Sequence, residues 1–159
     1  MQLDENYMKE ERIIRVVVDT NIWISFLIGR RLSNLMKLLT KTEVQLVFSD
    51  ELLNELHEVS KRPKFLKYFS STNQSDKLLA FLHSIGELVS LSGTIPERCR
   101  DAKDDYLLEL AIRSDADFLI TGDADLLVIK RIKQCHIVTI KEFELYWIGS
   151  QDNVILHEP

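Results

Sequence analysis

Five short runs rich in Val, Ile and Leu punctuate the chain: "IIRVVV" at 13–18, "VQLVF" at 44–48, "ELVSL" at 87–91, "DFLIT" at 117–121 and "HIVTI" at 136–140. Stretches of helical period separate them, over 31–41, 50–60, 75–86, 103–114 and 141–147, with a short turn of helix around 124–130. Near-continuous apolar strands are those buried on both faces. Alternation with helices therefore predicts an α/β fold, a parallel sheet covered by helices. A chain of 159 residues with 45% hydrophobic content can bury a sizeable core without disulfides or structural metal. Only five Gly and three Pro occur, and no linker-like stretch interrupts the pattern. The expected organisation is a polar N-terminal tail at 1–12, one domain at 13–148 and a C-terminal tail at 149–159.

Local signals support these boundaries. Ser49 is placed to cap the 50–60 helix, with Asp50 and Glu51 in the first turn, where the helix dipole favours negative charge. Ser71 with Gln74 offers a capping box for the next long helix. Pro63 ends the helix that Ser49 starts, and "KFLKYF" reads as a shorter helical piece.

The opening "MQLDENYMKEER" lacks the apolar core of a secretory signal. No apolar run approaches the ~18 to 20 residues that span a bilayer. Cys99 and Cys135 form no C-x-x-C pair and read as two free thiols of a reducing cytoplasm. The expectation is a soluble cytoplasmic protein that engages no membrane. A net charge of −5 argues against binding nucleic acid through bulk charge, while leaving room for a local basic patch.

The acids carry the functional signal. In open parallel sheets ligands collect outside the carboxyl ends of the strands, where Asp19 and Asp123 follow their apolar runs. On the 103–114 helix, Leu107, Leu108 and Ala111 stand at i+3, i+4 and i+7 from Asp104, which is therefore expected to point inward. Asp105, rotated by about 100°, is expected to meet solvent. In "SDELLNELHEVS", Leu52, Leu53, Leu56 and Val59 mark the buried stripe; Glu55 lies nearest it, with Glu51 and Glu58 turned further away.

Asp19, Glu55, Asp104 and Asp123 thus converge from four separate segments. Clustered carboxylates raise one another's pKa unless a cation joins them. Oxygen-only ligands suit Mg²⁺ or Mn²⁺, and the chemistry they imply is metal-assisted phosphodiester hydrolysis without a protein nucleophile. The histidines, His57, His83, His136 and His157, have no metal-binding spacing and read as surface or structural residues. Asp19 is followed by Thr20 and Asn21 rather than by the second Asp of an aspartyl-phosphate loop, and no glycine-rich phosphate loop is present.

Together, "VVVDTN", "SDELLNEL", "RDAKDDYLLELA" and "LITGDADLL" resemble the PIN-domain ribonucleases, in particular the VapC-like toxins of bacterial and archaeal toxin–antitoxin systems. The match runs in order from about residue 14 to 147. The resemblance implies a three-layer α/β/α sandwich around a parallel sheet of order 3-2-1-4-5. It also implies a Mg²⁺- or Mn²⁺-dependent endonuclease site for single-stranded RNA. It carries Asp19, Glu55, Asp104 and Asp123 over as catalytic, metal-binding acids, gives Asn21, Thr121 and Asp125 supporting roles, and makes Asp101 an outer acid. The partners it suggests are RNA, a protein antitoxin and a second copy of the chain.

Basic residues stand at Arg30-Arg31, at Lys61, Arg62, Lys64 and Lys67, and at Lys130-Arg131-Lys133, any of them available to contact phosphates beside the acids. The second group is the expected RNA-binding rim. Two other readings stay open at this point: a noncatalytic RNA- or protein-binding module, and a structure-specific DNA nuclease.

Overall fold

Val16, Val17 and Val18 are consecutive and all buried, which a strand achieves only where helices cover both faces of its sheet. The computed structural model describes residues 12–29, 32–68, 74–98 and 101–155. The tail up to residue 11, Arg30, Arg31, Ser71, Cys99 and His157 lie outside the described residues.

The strands are β1 (Ile14–Val18), β2 (Val44–Phe48), β3 (Glu87–Leu88), β4 (Phe118–Ile120), β5 (Arg131–Ile132) and β6 (Cys135–Val138). The helices are α1 (Thr20–Leu27), α2 (Ser33–Leu39), α3 (Asp50–Ser60), α4 (Pro63–Leu66), α5 (Gln74–Ile85), α6 (Asp105–Arg113), α7 (Ala124–Leu127) and α8 (Ile140–Ile155). The sheet order is β3-β2-β1-β4-β6-β5 in a three-layer α/β/α arrangement. β1 pairs in parallel with β2 and β4, in the registers Val16↔Leu46 and Val16↔Phe118. The run read at 136–140 is β6, so the expected order survives with one addition. β5 adds a two-residue edge antiparallel to β6. So short a strand leaves no period-two signal, and its turn carries no glycine: Lys133 itself takes a left-handed φ of 53°.

A larger departure follows β1. Helix α1 begins one residue beyond Asp19, where the sequence shows Ile, Trp and Phe, all weak helix formers. Burial overrides propensity: Ile22, Trp23 and Ile24 are buried, and α1 packs against α3 and α5. The helix read over 103–114 starts only at Asp105, after a 3₁₀ turn at Ala102–Asp104, and the one read over 141–147 extends to Ile155. The Ser49 cap is present, its Oγ accepting the Leu52 N–H at 3.2 Å. Cys135 is a buried free thiol. Among the described residues no helix is long and apolar enough to cross a membrane.

Candidate active site

Parallel pairing delivers the first two acids to one edge of the sheet. The Asp19 N–H donates to the Ile120 carbonyl at 2.9 Å, continuing the β1–β4 ladder, and the Thr121 N–H donates to Val138 at 2.9 Å. This alignment sets Thr121 beside Asp19. The Thr121 hydroxyl, fully buried, donates to Asp19 Oδ2 at 2.7 Å and accepts the Asp123 N–H at 3.0 Å. One side chain therefore positions the ends of two strands. Asp123 in turn caps α7, its Oδ1 accepting the Asp125 N–H at 2.9 Å. Asp125 thus acts through its main chain.

Asp19 is only 4% exposed, and burial pushes its carboxyl above the ordinary range; the Thr121 hydroxyl opposes the shift, while the charges of Glu55 and Asp123 add to it. Glu55 comes from the middle of α3 and is half-buried, as its place beside the leucine stripe predicts, with Glu51 and Glu58 exposed. Its Oε2 accepts a hydrogen bond from the phenol of Tyr106. Sequence reasoning passed over Tyr106. Burial first, and then Glu55, raise its phenol, so it stays a donor. The available signal was its place in the first turn of an acid-led helix, where a polar aromatic needs a partner once buried.

Asp105, expected to meet solvent, is instead the more deeply buried of the two neighbouring aspartates. Asp105 is 5% exposed and accepts the Arg98 N–H at 2.9 Å, whereas Asp104 is half-buried. The helical rotation fails because Asp104 closes the 3₁₀ turn and only Asp105 begins α6. Asp104 nevertheless meets the other acids. Burial, then the neighbouring Asp123, then Asp19 and Asp101 push its carboxyl up to about 7. Its Oδ2 is buried with no hydrogen-bond partner. Asp101, exposed, caps the 3₁₀ turn by accepting the Lys103 N–H at 3.0 Å. Asn21 is exposed on α1; its carbonyl accepts the Ser25 hydroxyl at 3.0 Å.

All four principal acids therefore act on one another at the carboxyl edge, as mutually repelling charges. Among the described residues no group of three or more His, Cys, Asp or Glu side chains is already drawn together to hold a metal ion. The donor set is oxygen alone, which suits a hard divalent cation. The buried Oδ2 of Asp104 has no hydrogen-bond partner, and a buried acceptor of this kind calls for one.

The basic groups divide. Lys61, Arg62, Lys64 and Lys67 are exposed, beginning at the C-cap of α3, six residues and about 9 Å of helix beyond Glu55. The ammonium groups of Lys64 and Lys67 lie over the rings of Phe65 and Tyr68 at 4.9 and 5.1 Å. Lys130, Arg131 and Lys133 do not flank the acids. Arg131 pairs with His136, level with the first residue of β4, three residues before Thr121.

The sequence pattern of the PIN domain matches residues 15–125. The chain is 31% identical over 146 residues to the uncharacterized protein MJ1680 of Methanocaldococcus jannaschii, an alignment covering 85% of this chain and 93% of that protein. Its fold is similar to that of a chain in VapBC2 from Rickettsia felis bound to a DNA fragment from their promoter, with a TM-score of 0.51, 23% identity, and 78% of this chain and 97% of that one covered. It is also similar to the PIN domain endonuclease Utp24, with a TM-score of 0.50, 18% identity, and 79% and 84% of the two chains covered. The matched span runs from β1 into α7 and contains every strand end and helix that supplies an acid to the site, so the chain belongs to the PIN-domain family.

Proposed function

We propose that the unit at 13–148 is a cytoplasmic, metal-dependent endoribonuclease that hydrolyses phosphodiester bonds of single-stranded RNA, and that it is the toxin of a toxin–antitoxin pair. The observation that carries the reading is the set of acids at the carboxyl edge whose charges face one another while no Lys or Arg among the described residues pairs with them: Asp19 and Asp104 are both held above the ordinary carboxylate range, and the buried Asp104 Oδ2 has no hydrogen-bond partner. Such an arrangement is costly unless a cation completes it.

Asp19, Glu55, Asp104 and Asp123 would hold Mg²⁺ or Mn²⁺, which supplies Lewis-acid polarisation of a phosphate and of the attacking water. The protein's own part is positional. Thr121 fixes the orientation of Asp19 and the main chain of Asp123; the Asp125 N–H fixes the Asp123 carboxylate; Tyr106 fixes Glu55. Supporting groups of this kind commonly change metal affinity or activity by 10- to 100-fold. Asn21 would help orient the Asp19 carboxylate through its main-chain N–H, and Asp101 would be the outer acid beside Asp104. Lys61, Arg62, Lys64 and Lys67 offset the repulsion between an acidic edge and a polyanion. The protein partner is supported by the resemblance to the toxin branch and the likeness to a VapBC2 chain.

The test is cleavage of a mixed-sequence single-stranded RNA with Mg²⁺, Mn²⁺ or EDTA, with Asp19→Asn purified in parallel. Cleavage should require the metal and fall at least about a hundredfold in the variant. Equal cleavage by both proteins defeats the proposal; RNA binding without cleavage returns the chain to a binding module, and preference for flap DNA to a DNA nuclease. Replacing Lys61, Arg62, Lys64 and Lys67 with Ala should lower the dependence of log affinity on log salt by up to about 3. An unchanged slope removes this segment from the rim.

A further inference from the structure

At the opposite, amino-terminal edge of the sheet lies a cavity of about 380 Å³. Its walls come from the chain entering β1, the starts of β4 and β6, the β5–β6 hairpin and α8. Arg131 stands roughly 10 Å along the strands from Thr121 and roughly 10 Å to the side, two strand spacings away. It is outside the acidic edge.

The chemistry of the walls is specific. Phe118 forms the back, with Tyr146 against it at a centroid distance of 4.7 Å and His136 at 6.0 Å. Phe118 is buried, whereas Tyr146 is 49% exposed and His136 is exposed, so two aromatic surfaces remain open to the cavity. Beside them, Arg131 Nε donates to the Lys133 carbonyl at 2.9 Å. This bond pins the guanidinium while its two terminal amino groups have no hydrogen-bond partner among the described residues. The single wall carboxylate, Asp117, is already engaged: Oδ1 with Arg12 at 2.5 Å and Oδ2 with the Arg15 N–H at 2.9 Å. Two guanidiniums against one carboxylate leave the walls net positive. Gln134 spends its amide N–H on the Asp115 carbonyl at 2.7 Å, which leaves its own carbonyl as an acceptor.

The hairpin that presents Arg131 is held in an unusual backbone state. Lys130 and Lys133, on either side, have φ of 66° and 53°, in the left-handed region that lysine seldom adopts. Strained residues of this kind persist where their surroundings impose them and concentrate at binding sites.

We infer that this cavity is a nucleotide-binding site: a base packs on Tyr146 and His136, and its phosphate is taken by the fork of Arg131. Aromatic faces accept any base, and a guanidinium matches a phosphate through two parallel hydrogen bonds. The nucleotide is either free or an unpaired residue of an RNA strand. The inference goes beyond the nuclease reading and does not depend on it, because binding here needs neither metal nor cleavage.

The test is isothermal titration calorimetry of the full chain in EDTA with AMP, inorganic phosphate and a five-residue oligoadenylate, using wild type, Arg131→Ala, Arg131→Lys and Tyr146→Leu. Unchanged melting temperatures establish that these surface variants are folded. AMP should bind the wild type with a Kd no weaker than about 1 mM. Arg131→Ala and Tyr146→Leu should each weaken it at least about tenfold, and Arg131→Lys by less, because lysine keeps the charge without the fork. Oligoadenylate binding tenfold or more tighter than AMP identifies an RNA strand as the source; equal affinities identify the free nucleotide. The inference is overturned if AMP does not bind, if inorganic phosphate binds as tightly as AMP, or if Arg131→Ala and Tyr146→Leu both bind AMP like the wild type.

Discussion

Asp19 at the carboxyl edge and Glu109 on α6 are buried to nearly the same degree, 4% and 8% exposed. Their surroundings are opposite. Glu109 Oε1 takes the Nε of Arg113 at 2.8 Å, Oε2 takes the Nη1 of Arg98, and the two guanidiniums hold its carboxyl below the ordinary range. Asp19 meets a neutral hydroxyl and the negative charges of Glu55 and Asp123, and its carboxyl is raised. The same chain therefore neutralises a buried acid where the acid is structural and leaves others uncompensated at a single edge. Glu87 follows the structural pattern, held low by Arg15 at 2.8 Å, although it is exposed. The difference teaches that the acidic edge is not a general consequence of an acidic composition: arginines are available, and they are placed elsewhere.

The strongest way to break the comparison is to remove the charge from the compensated side. Glu109→Gln keeps the volume but leaves two guanidiniums without their counter-charge and loosens Arg98, whose N–H also binds Asp105. The expected loss is about 2 to 3 kcal/mol, below the full cost of a deeply buried pair because the arginines are partly exposed. That corresponds to a fall in melting temperature of roughly 5 to 10 °C. A melting curve within a degree of wild type would show that the Arg98–Glu109–Arg113 cluster is not structural.

The same change of charge at Asp19 should act in the other direction. Asp19→Asn removes an uncompensated charge while its amide oxygen can still accept the Thr121 hydroxyl, so in EDTA the variant should melt about 2 to 4 °C above wild type. Divalent metal should then reverse the ranking. At a hundred times its Kd, a ligand that binds only the folded state stabilises by about 2.7 kcal/mol. Mn²⁺ or Mg²⁺ should raise the melting temperature of wild type and leave Asp19→Asn nearly unmoved. Equal metal shifts in both proteins would remove Asp19 from the ligand set.

How much of this was legible depends on where local pattern and tertiary context agree. The central strands were readable because both faces are covered, and unbroken apolar runs such as Val16–Val18 have few other uses. Ser49 and the sorting of Glu55 from Glu51 and Glu58 were readable because α3 is regular from its first turn. Helix α1 was not, because Ile22, Trp23 and Ile24 favour helix only once packed. The burial of Asp105 was not readable, because one 3₁₀ turn shifts the rotation of everything before it, although Asp104 still meets the other acids. Thr121 entered through family resemblance alone: nothing local shows that its hydroxyl joins Asp19, 102 residues away, to the main chain of Asp123. Tyr106 needed the same long-range information.

The smallest effect sharpens the comparison through pH. Asp104 has an ordinary value of 3.8 and is pushed up to about 7 in the folded chain, and Asp19 is shifted in the same direction. A group whose folded pKa is raised favours the fold while it is protonated. Its contribution is complete below about 4 and is lost as pH rises through about 7. Glu109 and Glu87 are lowered, so their contribution is present above the ordinary glutamate value of 4.5 and is lost as pH falls below it. The metal-free protein should therefore be most stable between about 4 and 5, and should melt roughly 2 °C lower at pH 8, a small difference because Asp104 is substantially exposed to solvent screening. Saturating Mn²⁺ should abolish the decline by replacing the proton that the acids lose. Asp104→Asn should flatten it in EDTA while leaving the acid limb set by Glu109 in place. A decline of the same size in that variant would assign the titration to Asp19 alone, and a melting temperature that rises from pH 6 to 8 in EDTA would contradict the electrostatic contrast between the two regions.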